Sequence, residues 1–240
     1  LLIGDNCLDV YQYGTIDRLS PEAPVPVFVP TYTEEREGMA GNVFKNLQAL
    51  GCDVNYLFGE TSTKTRLIDS RSKQQVVRID DDIISQPLVF ETDIPQVYDA
   101  VVVSDYNKGT VSYELIEELI ALSIPIFIDT KKTDLERFQG AWVKINELEY
   151  SKIKSECSGL IVTRGSKGAS VLHHNIKCPA PSVEVSDVTG AGDTFLAALA
   201  FEYLKTKDIE QSVKFAVRAS AVTVQHLGVY APGLKEIYET

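Results

Sequence analysis

An α/β fold, with helices on both faces of a mainly parallel sheet and a small antiparallel β lid, is predicted by three observations. Short apolar runs alternate with segments of helical periodicity along most of the 240 residues. The runs DAVVVSD, IPIFIDT, AWVKIN and GLIVTRG are nearly continuous in apolar residues and end in polar or glycine residues. Strands buried on two faces read this way, with function at their carboxyl ends. Two early segments, VPVFVPTYTEER and TRLIDSRSKQQVVRID, break that rhythm with the polar alternation of antiparallel strands.

In chain order, LLIG is a strand and lid strands follow over about 10–36. NVFKNLQALG is a helix stopped by Gly51, and DVNYLFG is the next strand. The helix-poor YLFGETSTKTRL then leads to the second lid pair, over about 64–82. After DAVVVSD, the segment SYELIEELIALS has helical spacing with Ser112 placed to cap it. IPIFIDT, AWVKIN and GLIVTRG supply three further strands. Two long helical patterns finish the chain, AGDTFLAALAFEYLKT and IEQSVKFAVRASAVTVQHLG, the second stopped by Gly228. There is no internal repeat and no low-complexity linker, so a single domain over 1–240 is expected.

Composition narrows the function. A net charge of -11 is the wrong sign for a phosphate-backbone footprint, which excludes broad nucleic-acid binding. No apolar run approaches the roughly 20 residues of a membrane helix, so no membrane partner is expected. Cys7, Cys52, Cys157 and Cys178 are scattered without a CxxC pair, which fits neither a zinc site nor a disulfide framework and points to a reducing, cytoplasmic setting. The chain opens on LLIGD without an initiator Met, as expected of a trimmed chain or one lacking earlier residues.

The stretch SDVTGAGDTF carries the chemistry. A helix beginning near Gly190 presents unpaired backbone N–H groups and the positive end of its dipole, and glycines let an anion approach the backbone. Asp193 in the first turn is either a helix-stabilising acid or a general base. A carboxylate beside an anion hole can take a proton from an alcohol while the amides hold the charge of a phosphoryl group in transfer. Phosphoryl transfer to a hydroxyl uses both halves.

The string DVTGAGDTF resembles the signature of the ribokinase-like (PfkB-type) carbohydrate kinases. The resemblance implies a ribokinase-like three-layer sandwich, ATP and Mg2+ as cofactors, Asp193 as base, and Gly190, Ala191 and Gly192 as the anion hole. NELE resembles the family's NxxE motif and implies Asn146 and Glu149 near magnesium and phosphate, acting through water. Taken alone, Asn146 also reads as a helix cap and Glu149 as a solvated residue. VTRGSKG resembles the nucleotide-side strand and turn, implying contacts from Thr163, Arg164, Gly165 and Gly168, with Asp187 and Thr189 at the glycine turn.

The amino-terminal IGDNCLDVYQYGTIDRLSPEAPVPVF, together with QQVVRIDDD, VVSDYNKGTV and IDTKKTDLERFQGAWVKINELE, resembles the heptose 7-phosphate kinases over nearly the whole chain. That likeness implies transfer to the anomeric hydroxyl of D-glycero-D-manno-heptose 7-phosphate. Asp9 and Asn42 can hydrogen-bond sugar hydroxyls, and they also read as a turn former and a helix cap. Arg66, Arg78, Lys108 and Lys131 are the candidates for the substrate phosphate, and Asp105, which ends a strand at the sheet's functional edge, is read as a substrate contact or as part of a plain strand-to-helix loop. Tyr106 is read as stacking on a sugar or packing. A homodimer through the lid strands, exposing Val27, Phe28 and Val29, and a separate nucleotidyltransferase are the expected partners.

Three departures stand against the family pattern. GMAGN replaces a Gly-Gly-Ala-Ala-Asn run, putting Met39 where a glycine is usual. FAVRASA puts Val217 where an Asn is expected near the nucleotide. Only ETS separates YLFG from TKTRL, where the family has a further strand and helix. These departures keep two other readings in view, a kinase for another sugar or sugar phosphate and a catalytically inert nucleotide or sugar-phosphate binder. A dinucleotide oxidoreductase is disfavoured because no GxGxxG follows the first strand.

Overall fold

A computed structural model describes residues 1–90 and 97–240. Its strands form one sheet in the order β10-β9-β8-β7-β6-β5-β1-β3-β4, with β2 paired to β1. The core strands are the start of β1 (Leu2–Leu19) and of β3 (Tyr56–Asp69), then β5 (Val101–Asp105), β6 (Ile126–Thr130), β7 (Trp142–Asn146) and β8 (Leu160–Thr163). All of these neighbours pair in parallel. The short β9 (Ala169–Val171) and β10 (Ile176–Cys178) close that edge as an antiparallel hairpin.

Alternation along the core strands divides the side chains between two apolar layers. Leu2, Val102, Phe127 and Ile161 pack on one face with α1 (Ala40–Ala49), α4 (Ala191–Thr206), α5 (Ile209–Thr223) and Ile237 of α6 (Leu234–Glu239). Ile3, Val101, Val103, Ile126 and Ile128 pack on the other with α2 (Tyr113–Ile120) and a turn of 3-10 helix over Leu135–Phe138. The result is the three-layer sandwich expected. Gly51 ends α1 at φ 86, a conformation open to glycine. Ser112 caps α2, its Oγ accepting from the Leu115 N–H at 3.0 Å.

The lid differs from the expectation of a small separate sheet. β1 and β3 run unbroken out of the core sheet, and over Asn6–Gly14 they remain paired in parallel as lid strands. β2 (Pro26–Met39) pairs antiparallel with β1, and β4 (Gln75–Asp81) with β3. The continuous β3 follows from the short ETS link, because with no inserted element the chain passes directly from core to lid. The lid thereby overhangs the carboxyl ends of the parallel strands, where the candidate residues gather.

Candidate active site

Gly190 adopts a left-handed conformation (φ 79) ahead of α4. The Ala191 N–H donates to Val188 O at 3.3 Å, and the Thr194 N–H donates to Gly190 O at 3.0 Å. Among the described residues the N–H groups of Gly192 and Asp193 have no backbone partner, so they are the open donors of the turn. Of the three residues predicted to form the hole, Gly190 shapes it, Ala191 is spoken for, and Gly192 supplies a donor.

Asp193 is 6% exposed. Its Oδ2 accepts from Asn42 Nδ2 at 2.8 Å and its Oδ1 from the Tyr106 hydroxyl at 2.9 Å. Burial pushes its carboxyl up to about 6, with the Asn42 hydrogen bond holding it down and the Asp129 charge adding to the rise. A carboxyl raised in this way is ionised at neutral pH yet more proton-avid than an exposed aspartate. Asn42, on the first turn of α1, thus touches the Asp193 carboxylate directly.

Tyr106 reaches the Asp193 carboxylate from a loop that Asp5 organises. The buried Asp5 carboxylate accepts from the N–H groups of Tyr106 (2.8 Å), Lys108 (3.0 Å) and Thr110 (3.2 Å). Asp105 serves the same loop from inside. Its side chain is 0% exposed and accepts from the Thr130 hydroxyl at 2.6 Å and Lys132 Nζ at 2.9 Å. Predicted as a substrate contact, Asp105 is instead enclosed in the protein, because its strand ends beneath the loop rather than in the cleft. Lys108 is drawn to Asp82 at 2.6 Å, tying this loop to the end of the lid.

On the lid, Asp9 pairs with Arg66 at 2.6 Å. The guanidinium groups of Arg66 and Arg36 each lie about 5 Å from the Tyr11 ring centroid, at 5.0 and 4.9 Å. Arg78 stands across from Arg66 in the strand register and pairs with Asp80 of its own strand at 2.8 Å. Lys131 does not join this group. Its ammonium pairs with Glu149 and lies 5.3 Å from the Tyr106 ring centroid. Sequence reasoning missed Arg36, which resembles any other residue of a charged lid strand. Met39 takes φ 51 at the start of α1, the kind of backbone a glycine adopts without strain, which explains the glycine usual in that run.

A cleft of about 380 Å³ lies between the glycine turn and the end of β8. Thr163, Gly165, Gly168 and Gly192 line it with Val217 and Ala221. Arg164 turns away, its Nη1 donating to Ser170 Oγ at 2.8 Å. Asp187 shapes the turn from behind, its Oδ1 accepting from the Thr189 N–H at 2.9 Å and its Oδ2 from the Gly228 N–H at 2.9 Å. Val217 does lie where an amide was expected, and the cleft there is apolar.

Magnesium fits this edge only indirectly. Asn146 and Glu149 form a reciprocal cap of the short helix α3 (Glu147–Tyr150): Asn146 Oδ1 accepts from the Glu149 N–H at 2.9 Å, and Glu149 Oε2 accepts from the Asn146 N–H at 2.8 Å. Glu149 Oε1 is held by Lys131. Among the described residues no three His, Cys, Asp or Glu side chains converge as a metal site. The described residues thus supply no direct coordination set, and contact through water is what the pair can offer.

One more pair stands against the first turn of α4 and was not anticipated. Lys144 Nζ donates to Asp129 Oδ2 at 2.7 Å, with side chains only 5% and 12% exposed. Asp129 and Lys144 interrupt the apolar runs IFIDT and WVKIN, and that interruption was the available signal.

Comparison with known proteins agrees with this geometry. The pfkB family carbohydrate kinase profile matches residues 136–236. The chain is 34% identical to the bifunctional protein HldE of a Nitratiruptor species over 299 aligned positions, covering 100% of this chain and 64% of that protein. It is 33% identical to HldE of Aliivibrio fischeri, covering 100% of this chain and 62% of that protein. The chain therefore spans less than two thirds of the length of these relatives. Its fold matches Arabidopsis thaliana ribokinase solved with ribose and ATP, with TM-score 0.75 and 16% identity over 99% of this chain and 96% of that one. Escherichia coli phosphofructokinase-2 matches with TM-score 0.73 and 15% identity over 100% and 97%. Residues 136–236 thus match the pfkB carbohydrate kinase profile, and the chain as a whole is similar to part of the HldE proteins and shares the ribokinase-like fold.

Proposed function

We propose that the protein transfers the γ-phosphoryl group of ATP to the anomeric hydroxyl of D-glycero-D-manno-heptose 7-phosphate, with Asp193 as general base. The observation that carries the kinase reading is a buried, proton-avid carboxylate in the first turn of α4, beside open N–H groups that face an apolar cleft. The heptose assignment draws on the amino-terminal resemblance and on relatives named HldE. The Arg36, Arg66 and Tyr11 cluster adds cationic groups suited to a remote phosphate on the acceptor.

In this reading the acceptor lies between the lid and Asp193. Asp193 takes the proton as the sugar oxygen bonds to the γ-phosphorus and the bond to the β-phosphate oxygen breaks, leaving ADP. The open amides of the turn stabilise the charge spread over the phosphoryl oxygens. Asn146 and Glu149 would hold magnesium through water, where it would supply further charge neutralisation. The lid shelters the reacting groups from water.

Met39 and the shortened core-to-lid link favour a second reading, the same chemistry on another sugar or sugar phosphate. Val217 favours a third, an inert nucleotide or sugar-phosphate binder. A cytoplasmic setting fits four free thiols, and among the described residues no helix is long and apolar enough to cross a membrane. Val29 and Tyr32, 53% and 50% exposed, support pairing of lids in a homodimer. A nucleotidyltransferase step would complete the proposed route. Phosphorus NMR with ATP·Mg and the heptose 7-phosphate, alongside fructose 6-phosphate, fructose and ribose, tests the assignment. A new anomeric phosphate on the heptose alone supports it, whereas product from another acceptor replaces the substrate, and ATP binding without any product favours the inert binder.

A further inference from the structure

An interior strand of a parallel sheet is apolar on both faces, yet β7 carries a lysine at its third position. Lys144 lies on β7 between β6 and β8, and its ammonium is held by Asp129 of β6. Burial works against the charge, but the Asp129 carboxylate outweighs it and keeps the Lys144 pKa above the ordinary lysine value. A buried ion pair is no better for stability than apolar residues of similar volume, so folding gives no reason for this one.

Its position supplies a reason. A β-carbon on Gly192 would lie 2.8 Å from Lys144 Nζ, so the ammonium sits directly against the first turn of α4. That is the positive end of a helix dipole, an unfavourable place for a cation unless an anion is shared between them. The same Gly192 lines the cleft beside the glycine turn and has an open N–H. Besides Asp129, the carboxylates of Asp193 and Glu149 also act on the ammonium.

Resting on the kinase reading, we propose that Lys144 is a catalytic residue whose ammonium contacts a non-bridging oxygen of the phosphoryl group in transfer, and that Asp129 is its positioning residue. Lys144 keeps all its protons. The acceptor proton goes to Asp193, the new P–O bond forms to the acceptor oxygen, and the electron pair of the broken P–O bond leaves on ADP. Glycine at 192 leaves the space through which the ammonium meets its anion.

The test is Lys144→Met in the full chain, with kinetics and with calorimetric binding of ATP and of ADP. Loss of one such charge-stabilising donor lowers kcat by about 100-fold or more, with the acceptor KM within about threefold. ATP affinity falls while ADP affinity holds, since only ATP carries the γ-phosphate. A kcat within about threefold of the parent, or ATP and ADP affinities falling together, overturns the proposal. If the single variant leaves Asp129 uncompensated and misfolds, Lys144→Met with Asp129→Leu removes both charges and takes the same measurements. Asp129→Asn reports on positioning. It lowers kcat at unchanged KM, and combined with Lys144→Met it adds no further loss, whereas additive losses refute action through Lys144. Should the parent protein phosphorylate none of the acceptors, the kinase reading fails, and the difference between ATP and ADP binding still decides whether Lys144 meets the γ-phosphate.

Discussion

Replacing Tyr106 by Phe removes one of the two donors on the base while keeping the ring in place. The phenol donates to Asp193 Oδ1 at 2.9 Å, and its own loop is pinned by the three hydrogen bonds to Asp5, so the surroundings stay put. A hydrogen bond to a charged acceptor contributes about 1.5 kcal/mol at the low end of its range, and one pKa unit is about 1.36 kcal/mol. The ionised form of Asp193 loses that support, so its pKa rises from about 6 by about one unit. Because the base must be ionised to work, the acid limb of kcat/KM moves to higher pH by the same amount. At pH 6 the variant is then about fivefold slower than the parent, and the deficit has nearly vanished by pH 8. A pH series of initial rates from pH 5 to pH 9, with ADP release coupled to NADH oxidation, reads this directly. An acid limb that stays at its parental pH refutes the role given to the phenol.

Further outcomes follow from the same geometry. Gly192→Ala places a β-carbon 2.8 Å from Lys144 Nζ and displaces a pinned ammonium, so turnover falls by about tenfold or more while the melting temperature changes little. Arg66→Met breaks the 2.6 Å pair with Asp9 and removes a lid cation, raising the acceptor KM about tenfold or more with a smaller change in kcat, as steady-state kinetics would record. Asp193→Asn tests the cost of the buried charge. The folded carboxyl, raised to about 6 from an ordinary 3.8, holds its proton more tightly than the unfolded one, so ionised Asp193 destabilises the fold by about 3 kcal/mol at neutral pH. That cost is released as pH falls from 6 toward 4. Thermal melts should show the Asn variant more stable than the parent at pH 7.5, with the difference closing near pH 4.

Much of this architecture was legible because its signals are local. The apolar runs of β5 to β8 and the helical periods of α1, α2, α4 and α5 each lie within one short segment. The glycine turn was legible for the same reason, with Gly190, Gly192 and Asp193 close together in sequence. The hairpin of β9 and β10 was not, since three residues per strand give alternation too little length to register. Contacts between distant segments were also hidden. Asn42 and Tyr106 meet Asp193 across separations of 151 and 87 residues, and nothing near either one announces a carboxylate partner. The opposite error came from Asp105, whose place at a strand end was right while its side chain points inward to Thr130 and Lys132. Lys144 and Asp129 were visible as charges in apolar strands, a signal whose meaning appears only once the helix end is seen above them.

The central claim is that the carboxylate in the glycine turn takes the acceptor's proton. The most direct test is the turnover of Asp193→Asn with ATP·Mg and heptose 7-phosphate, measured beside calorimetric binding of ATP. The account predicts a folded protein that binds ATP as the parent does and has lost about 100-fold to 10,000-fold of its turnover. A variant that turns over at close to the parental rate would contradict it.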